Sequence, residues 1–294
     1  MKIVANGMQL EVDVRGPANG QPLLLIMGLG MQLIAWPESL VSALVGHGFR
    51  VVRFDNRDIG LSQHLDELGM PRMAVAGLRY ALRLPVRCPY SLRDMARDAL
   101  GVLDALQIPQ AHVCGASMGG MIAQHLAVEA SGRVASLCLM MTTSGARYLP
   151  QPGWHVRREL MTRPMGPGAD AAVEWAQRLF RVIGSPGFPM EPAQMRERAL
   201  QSVQRAWHPA GSARQLLAIV ADGDRTPWLG RITCRTGVIH GMDDPLVPVA
   251  AGRQLAQVIP GAQSDFIEGM GHDLPDALAP RFAAFVSRLA GRGC

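Results

Sequence analysis

Three residue types far apart in this chain could together carry out nucleophilic catalysis. Ser117 lies in the turn Gly115-Ala116-Ser117-Met118-Gly119-Gly120. The apolar run before this turn, Ala111 to Cys114, reads as a short buried strand, and Met121 to Ala130 reads as a helix. A Gly-x-Ser-x-Gly between strand and helix is a nucleophile elbow, in which small neighbours let the two backbones approach and the serine is lifted clear of the sheet. The Met118 amide is left at a helix N-terminus, aimed at any oxyanion that forms on an attacked carbonyl. A serine hydroxyl needs a histidine to take its proton and an acid to orient that histidine.

Eight histidines are available as the base. His112 falls within a strand, His125 on the helix after the elbow, His47 at a helix end, and His240 at a strand end where a structural role suits it. His272 sits in Gly269-Met270-Gly271-His272, a loop after a strand that can carry an imidazole over the serine. The acid belongs in the turn after the preceding strand, Gly241-Met242-Asp243-Asp244-Pro245-Leu246-Val247-Pro248. Asp244, stiffened by Pro245, is the better candidate and Asp243 its rival. The turn after Val134 to Met141 carries no carboxylate and offers no alternative.

These residues need a scaffold, and the periodicities supply one. A hairpin is expected over residues 2–14 with its turn at Asn6-Gly7. Apolar runs at Pro22 to Met27 and Val134 to Met141 read as strands, and Phe49 to Phe54, Cys234 to His240 and Gln263 to Ile267 also have strand character. Helices are expected over Trp36 to Gly46, Ser91 to Leu106, Val249 to Val258 and Pro275 to Leu289. Alternation of this kind implies an α/β fold with a mostly parallel sheet, whose ligand site lies at the carboxyl ends of the strands. The glycine-rich Gly28-Leu29-Gly30 loop, the elbow, Asp244 and His272 all follow strands, so they should converge on one rim. Residues 64–90 read as a loop with a helical piece near Ala74 to Leu84, and Arg79, Arg83 and Arg87 as a solvated face. From 142 to 231 proline and glycine become dense and only helical pieces are visible, near 169–183, 192–206 and 211–221. This segment reads as an inserted helical cap, with 1–141 and 232–294 as the core domain.

The serine–acid–histidine order resembles the α/β-hydrolase fold. Within it, Leu25-Ile26-Met27-Gly28-Leu29-Gly30, Phe54-Asp55-Asn56-Arg57-Asp58-Ile59-Gly60-Leu61-Ser62 and Gly269-Met270-Gly271-His272 resemble bacterial esterases of the aclacinomycin methylesterase type. The resemblance implies an eight-stranded sheet with helices on both faces, and a second oxyanion amide from Leu29, beside that of Met118. Where many relatives have His-Gly, this chain has Met27-Gly28, a loop position outside the triad. The implied reaction is serine-dependent hydrolysis of carboxylic esters through an acyl-enzyme, with no cofactor. A carbon–carbon bond hydrolase, a lactonase or a cofactor-free perhydrolase would use the same triad, and a ligand-binding receptor could keep the scaffold.

Composition narrows the classes further. Of 294 residues 48% are hydrophobic and 18% charged, which excludes a disordered chain. The net charge of +5 is almost all arginine, since Lys2 is the sole lysine, and no dense basic run points to nucleic acid. The N-terminal residues lack the apolar core of a signal peptide, and no run is long enough to span a bilayer, so a cytoplasmic monomer or homodimer without a membrane role is expected. Five cysteines without metal-ligand spacing leave zinc unsupported. Within the cap, Trp154, Trp175 and Trp207, with Met161, Met165, Met190 and Met195, are the candidates to line an apolar pocket for an apolar or aromatic ester.

Overall fold

Strands rich in Val, Leu, Ile and Phe can be buried on both faces only if helices cover the sheet from both sides. The computed structural model, which describes residues 1–162 and 168–291, shows that arrangement. Eight strands form one sheet in the order β1-β2-β4-β3-β5-β6-β7-β8. They are β1 (Lys2–Ala5), β2 (Met8–Arg15), β3 (Gln21–Ile26), β4 (Phe49–Phe54), β5 (Ala111–Ala116), β6 (Val134–Met140), β7 (Arg235–Gly241) and β8 (Gln263–Ile267). β1 and β2 pair antiparallel, β2 joins β4 antiparallel, and the remaining neighbours are parallel. Leu24 pairs with Val113 and Cys114 with Cys138, so the central strands β3, β5 and β6 end together at one rim.

Helices α3 (Leu92–Ala105) and α4 (Met118–Glu129) bury one sheet face, and α1 (Glu38–Gly46) and α11 (Ala279–Leu289) the other. α10 (Ala250–Val258) follows β7 and packs against it. The start of α3 is set by a capping box: the Asp94 amide donates to Ser91 Oγ at 3.1 Å and the Ser91 amide to Asp94 Oδ2 at 2.9 Å. Cys114 and Cys138 are buried free thiols in the core.

Over the rim lie α6 (Ala169–Ile183), α7 (Pro192–Arg205) and α8 (Pro209–Asp222), which bond to the loops after β8, β4 and β3, and α5 (Trp154–Met161) packs against α6. Periodicity did not reveal α5, whose eight residues form less than three turns, nor the four-residue α9 (Thr226–Leu229). Within residues 64–90 the helical piece is α2 (Met73–Ala81), which packs against α8. Parts of the 142–231 segment pack on the main domain: Ala146 and Leu149 meet Ala251, and Leu229 lies in the main core with Trp228 against it. Among the described residues, no helix is long and apolar enough to cross a membrane.

Candidate active site

The elbow begins as geometry forced by small residues. Ser117 has φ 53° and ψ −119°, a conformation that costs a non-glycine residue about 1–3 kcal/mol. A Cβ on Gly119 would stand 1.9 Å from the Ile26 carbonyl oxygen, and one on Gly115 would stand 2.3 Å from the Gly119 oxygen. The Ser117 amide donates to the Met140 carbonyl at 2.9 Å, and Thr142 Oγ1 donates to the Ser117 carbonyl at 2.7 Å. Both bonds tie the strained residue to the end of β6. Helix α4 starts at Met118, as its expected helix N-terminus required, so the helix read from Met121 extends back into the turn itself.

Ser117 Oγ lies 3.0 Å from His272 Nε2, and His272 Nδ1 lies 2.7 Å from Asp244 Oδ2. The other carboxylate oxygen, Asp244 Oδ1, accepts from the Leu246 and Val247 amides at 2.9 and 2.8 Å. Burial raises the Asp244 pKa, but the His272 charge and hydrogen bonds from His240 and His272 outweigh it, bringing it to about 2. Asp243 turns elsewhere: its Oδ2 accepts from the Gly269 amide at 2.7 Å, bracing the histidine loop. The structure thus brings Asp244, and not its neighbour, to the imidazole.

His240 also reaches this acid. Its buried ring places Nε2 2.7 Å from the Val247 carbonyl and 3.5 Å from Asp244 Oδ2. A strand-end histidine four residues before the acid was the available signal for this contact. The other described histidines are engaged away from Ser117. His112 pairs with Ser136, His125 with Asp222, and His64 stacks on His208.

The loop after β3 lies against the serine, since a Cβ on Gly28 would stand 3.1 Å from Ser117 Cβ. Among the described residues no acceptor is bonded to the Leu29 N–H, and Met118 is the first residue of α4, where amides lack intrahelical partners. Leu29 and Met118 therefore stand as the two candidate oxyanion donors. Three side chains hold the loop: Asn56 Nδ2 donates to the Met27 carbonyl at 2.9 Å, the Gly30 amide donates to Gln215 Oε1 at 2.9 Å, and the Leu33 amide donates to Asp55 Oδ1 at 2.6 Å.

Residues 55–62, which the sequence presents as a polar turn, are, Leu61 apart, a buried junction between the main domain and the helices above it. Arg205 of α7 donates to Asp55 at 2.7 Å. Burial nevertheless pushes the Asp55 carboxyl above its ordinary value, despite Arg205 and the Leu33 and Leu61 amides. Arg214 of α8 grips Asp58 with two bonds, at 2.5 and 2.7 Å. Burial also raises Asp58, but the bonds from Arg214, Leu65 and Tyr90 prevail and hold it below the ordinary carboxylate range. Arg57 closes the junction on Asp98 of α3 with two bonds of 2.6 Å.

The overlying helices also hold the histidine. The His272 amide donates to the Ile183 carbonyl at 2.7 Å, and the Gly271 amide to Ser185 Oγ at 2.8 Å. Ser185 in turn donates to Asp273. Nothing in the local sequence of 183–187 signals this role.

The tryptophans divide. Trp175 and Trp207 meet edge to face at 6.0 Å, and Trp175 Nε1 donates to Thr162. Trp154 is 62% exposed, its ring beside His155 and Arg158 of its own helix, and Trp207 is 43% exposed, so neither shows the burial expected of a pocket-lining side chain. No hydrogen bond or ring contact joins any of the three to the triad among the described residues. Of the methionines, Met165 lies outside the described residues. One described group, His64, Asp66 and His208, brings potential metal-ligand atoms within 4.8 Å. Its two rings are parallel to within 5° at 3.8 Å, so their in-plane lone pairs do not converge on one ion.

The chain is 31% identical to rhodomycin D methylesterase DauP of Streptomyces sp. (strain C5), over 90% of this chain and 89% of that one. It is 32% identical to a putative carbamate hydrolase, RutD, of Variovorax paradoxus, over 90% of each. The enol-lactonase of Burkholderia xenovorans LB400 superposes with a TM-score of 0.68 at 26% identity, over 99% of both chains. The family model described as alpha/beta hydrolase fold matches residues 21–276. With its sheet order, its elbow and these likenesses, the chain belongs to the alpha/beta hydrolase fold family.

Proposed function

We propose that this protein hydrolyses carboxylic esters, with Ser117 as nucleophile, His272 as general base and Asp244 as its orienting acid. The observation that carries the reading is the continuous relay from Ser117 Oγ to His272 Nε2 at 3.0 Å and from Nδ1 to Asp244 at 2.7 Å. As Oγ attacks the ester carbonyl, its proton passes to Nε2, and the ionised Asp244 stabilises the imidazolium. The negative oxygen of the tetrahedral adduct is received by the Leu29 and Met118 amides, each such donor being worth about 100- to 1000-fold in rate. The adduct collapses when His272 returns the proton to the leaving alkoxide. Water then repeats the sequence on the acyl-enzyme, and the acid departs from a regenerated serine. Side chains and amides of the chain carry every step, so the route needs no cofactor.

The aromatic residues of the 142–231 segment and the relatives support a reading of the substrate class. Trp175 of α6 and Trp207 of the connection between α7 and α8 form an aromatic pair, which suits an apolar or aromatic ester. A relative that is a methylesterase, 31% identical, favours a small alcohol leaving group on a large acyl part. The enol-lactonase likeness supports a second reading, a cyclic ester opened by the same triad. A panel of aryl-acid methyl esters, short-chain aryl esters, lactones and a ring-cleavage dienoate tests both. Turnover of methyl esters that disappears in Ser117→Ala, with that serine alone labelled by a fluorophosphonate, is the expected result. Turnover of the dienoate alone, or labelling of another serine, would sink the proposal.

A further inference from the structure

Helix α2 is unlike the other surface helices of this protein. Its inner side places Ala76 in the structure, with Met73 and Tyr80 half-buried. Its remaining apolar positions, Ala74, Val75, Gly77, Leu78 and Ala81, with Leu82 at its end, are all exposed, Leu78 by 62% and Leu82 by 61%. An apolar outer face on a helix is ordinarily covered, because it gains nothing from water. Leu68, Met70 and Leu84 extend the exposed apolar surface at both ends of the helix.

Charge distinguishes the possible occupants. From Gly69 to Leu92 the chain carries Arg72, Arg79, Arg83 and Arg87 and no carboxylate. Among the described residues none of the four forms a salt bridge, and Arg147 adds a fifth guanidinium over the Tyr80 ring at 4.1 Å. Beside α2 an open groove of about 470 Å3 has Pro71, Val75, Val86 and Leu217 among its lining, with Arg72, Arg79 and Arg87 around them. A second copy docked symmetrically would set these arginines against themselves. An exposed apolar surface edged by arginines that have no carboxylate partner is complementary to an anionic lipid surface, where the leucines enter the acyl boundary and the guanidiniums meet phosphates.

We propose that α2 and its flanks, residues 68–87, dock this protein on the surface of a bilayer containing anionic phospholipid. At nine residues α2 is far too short to span, so the attachment is peripheral and reversible. The solvated face expected for Arg79, Arg83 and Arg87, and the expected absence of a membrane role, give way to an anion-facing role in this reading.

The test uses the full chain with vesicles of phosphatidylcholine alone, or mixed with phosphatidylglycerol, and measures co-sedimentation. Binding to the mixed vesicles is expected at least tenfold above binding to neutral ones, and it should fall at least tenfold in 0.5 M salt. Leu78→Glu/Leu82→Glu and Arg83→Glu/Arg87→Glu should each reduce it by a similar factor with an unchanged urea midpoint. Leu78→Gln/Leu82→Gln, which adds no charge, serves if the glutamate pair shifts that midpoint. Absence of binding, binding indifferent to these substitutions, or equal binding to neutral vesicles would overturn the proposal. So would a dimer in solution that Leu78→Glu dissociates, since the face would then belong to a second copy.

Discussion

Replacing Asp244 by asparagine should be more damaging than replacing it by alanine, because the surrounding amides dictate how an asparagine must sit. Oδ1 accepts from the Leu246 and Val247 amides at 2.9 and 2.8 Å. Turning the NH2 group toward them would set donors against donors, at about 1–3 kcal/mol for each bond lost. The amide oxygen therefore stays on that side and the NH2 faces His272 Nδ1, where the carboxylate oxygen now stands at 2.7 Å. An imidazole that accepts at Nδ1 carries its proton on Nε2, toward Ser117, and cannot act as base. Loss of the working tautomer costs about 10,000-fold in turnover, or about 5.4 kcal/mol of barrier. Alanine presents no donor, so the ring keeps access to both tautomers and more activity should survive than in the asparagine variant. Turnover of a chromogenic short-chain ester by wild type, Asp244→Asn and Asp244→Ala makes the measurement. An asparagine variant as active as the alanine one, or within tenfold of wild type, would refute the reasoning. The same acid sets a pH signature, since its pKa is lowered from 3.8 to about 2 in the fold. Its stabilising share is full above the ordinary value and lost as pH falls through about 2. The stability gap between wild type and Asp244→Asn should accordingly shrink on acidification from pH 4 to 2.

Two further outcomes test how the site is held. Ser185→Ala removes the hydroxyl that accepts from Gly271 and donates to Asp273, and kcat should drop about tenfold with KM little changed, equivalent to about 1.4 kcal/mol; an unaltered kcat would mean that the Ile183 bond to His272 suffices. Arg214→Met strands the buried Asp58 carboxylate and should cost about 3–5 kcal/mol in urea unfolding, partly restored by adding Asp58→Asn, whereas a loss below about 1 kcal/mol would count against the junction.

Much of this site was legible in the amino-acid order because its chemistry is locally encoded. A strained serine turn requires small residues within two or three positions, and Gly115, Gly119 and Gly120 announce it; the clashes that a Cβ would meet show why. Strand runs and the Ser91 helix start likewise depend on near neighbours, so the strands and the chemical rim they share are legible in the sequence alone. Long-range pairing is another matter. Asp55 and Asp58 read as turn residues until Arg205 and Arg214, about 150 positions later, arrive beside them. The Ile183 carbonyl and Ser185 carry no motif, and they meet the histidine loop only because a helix ends above it. The same holds for Trp154, whose type suggested a pocket and whose helix leaves it facing water. Residue type states what a side chain can do; packing of separated segments decides which partner it meets, and that information resides in no single stretch of the chain.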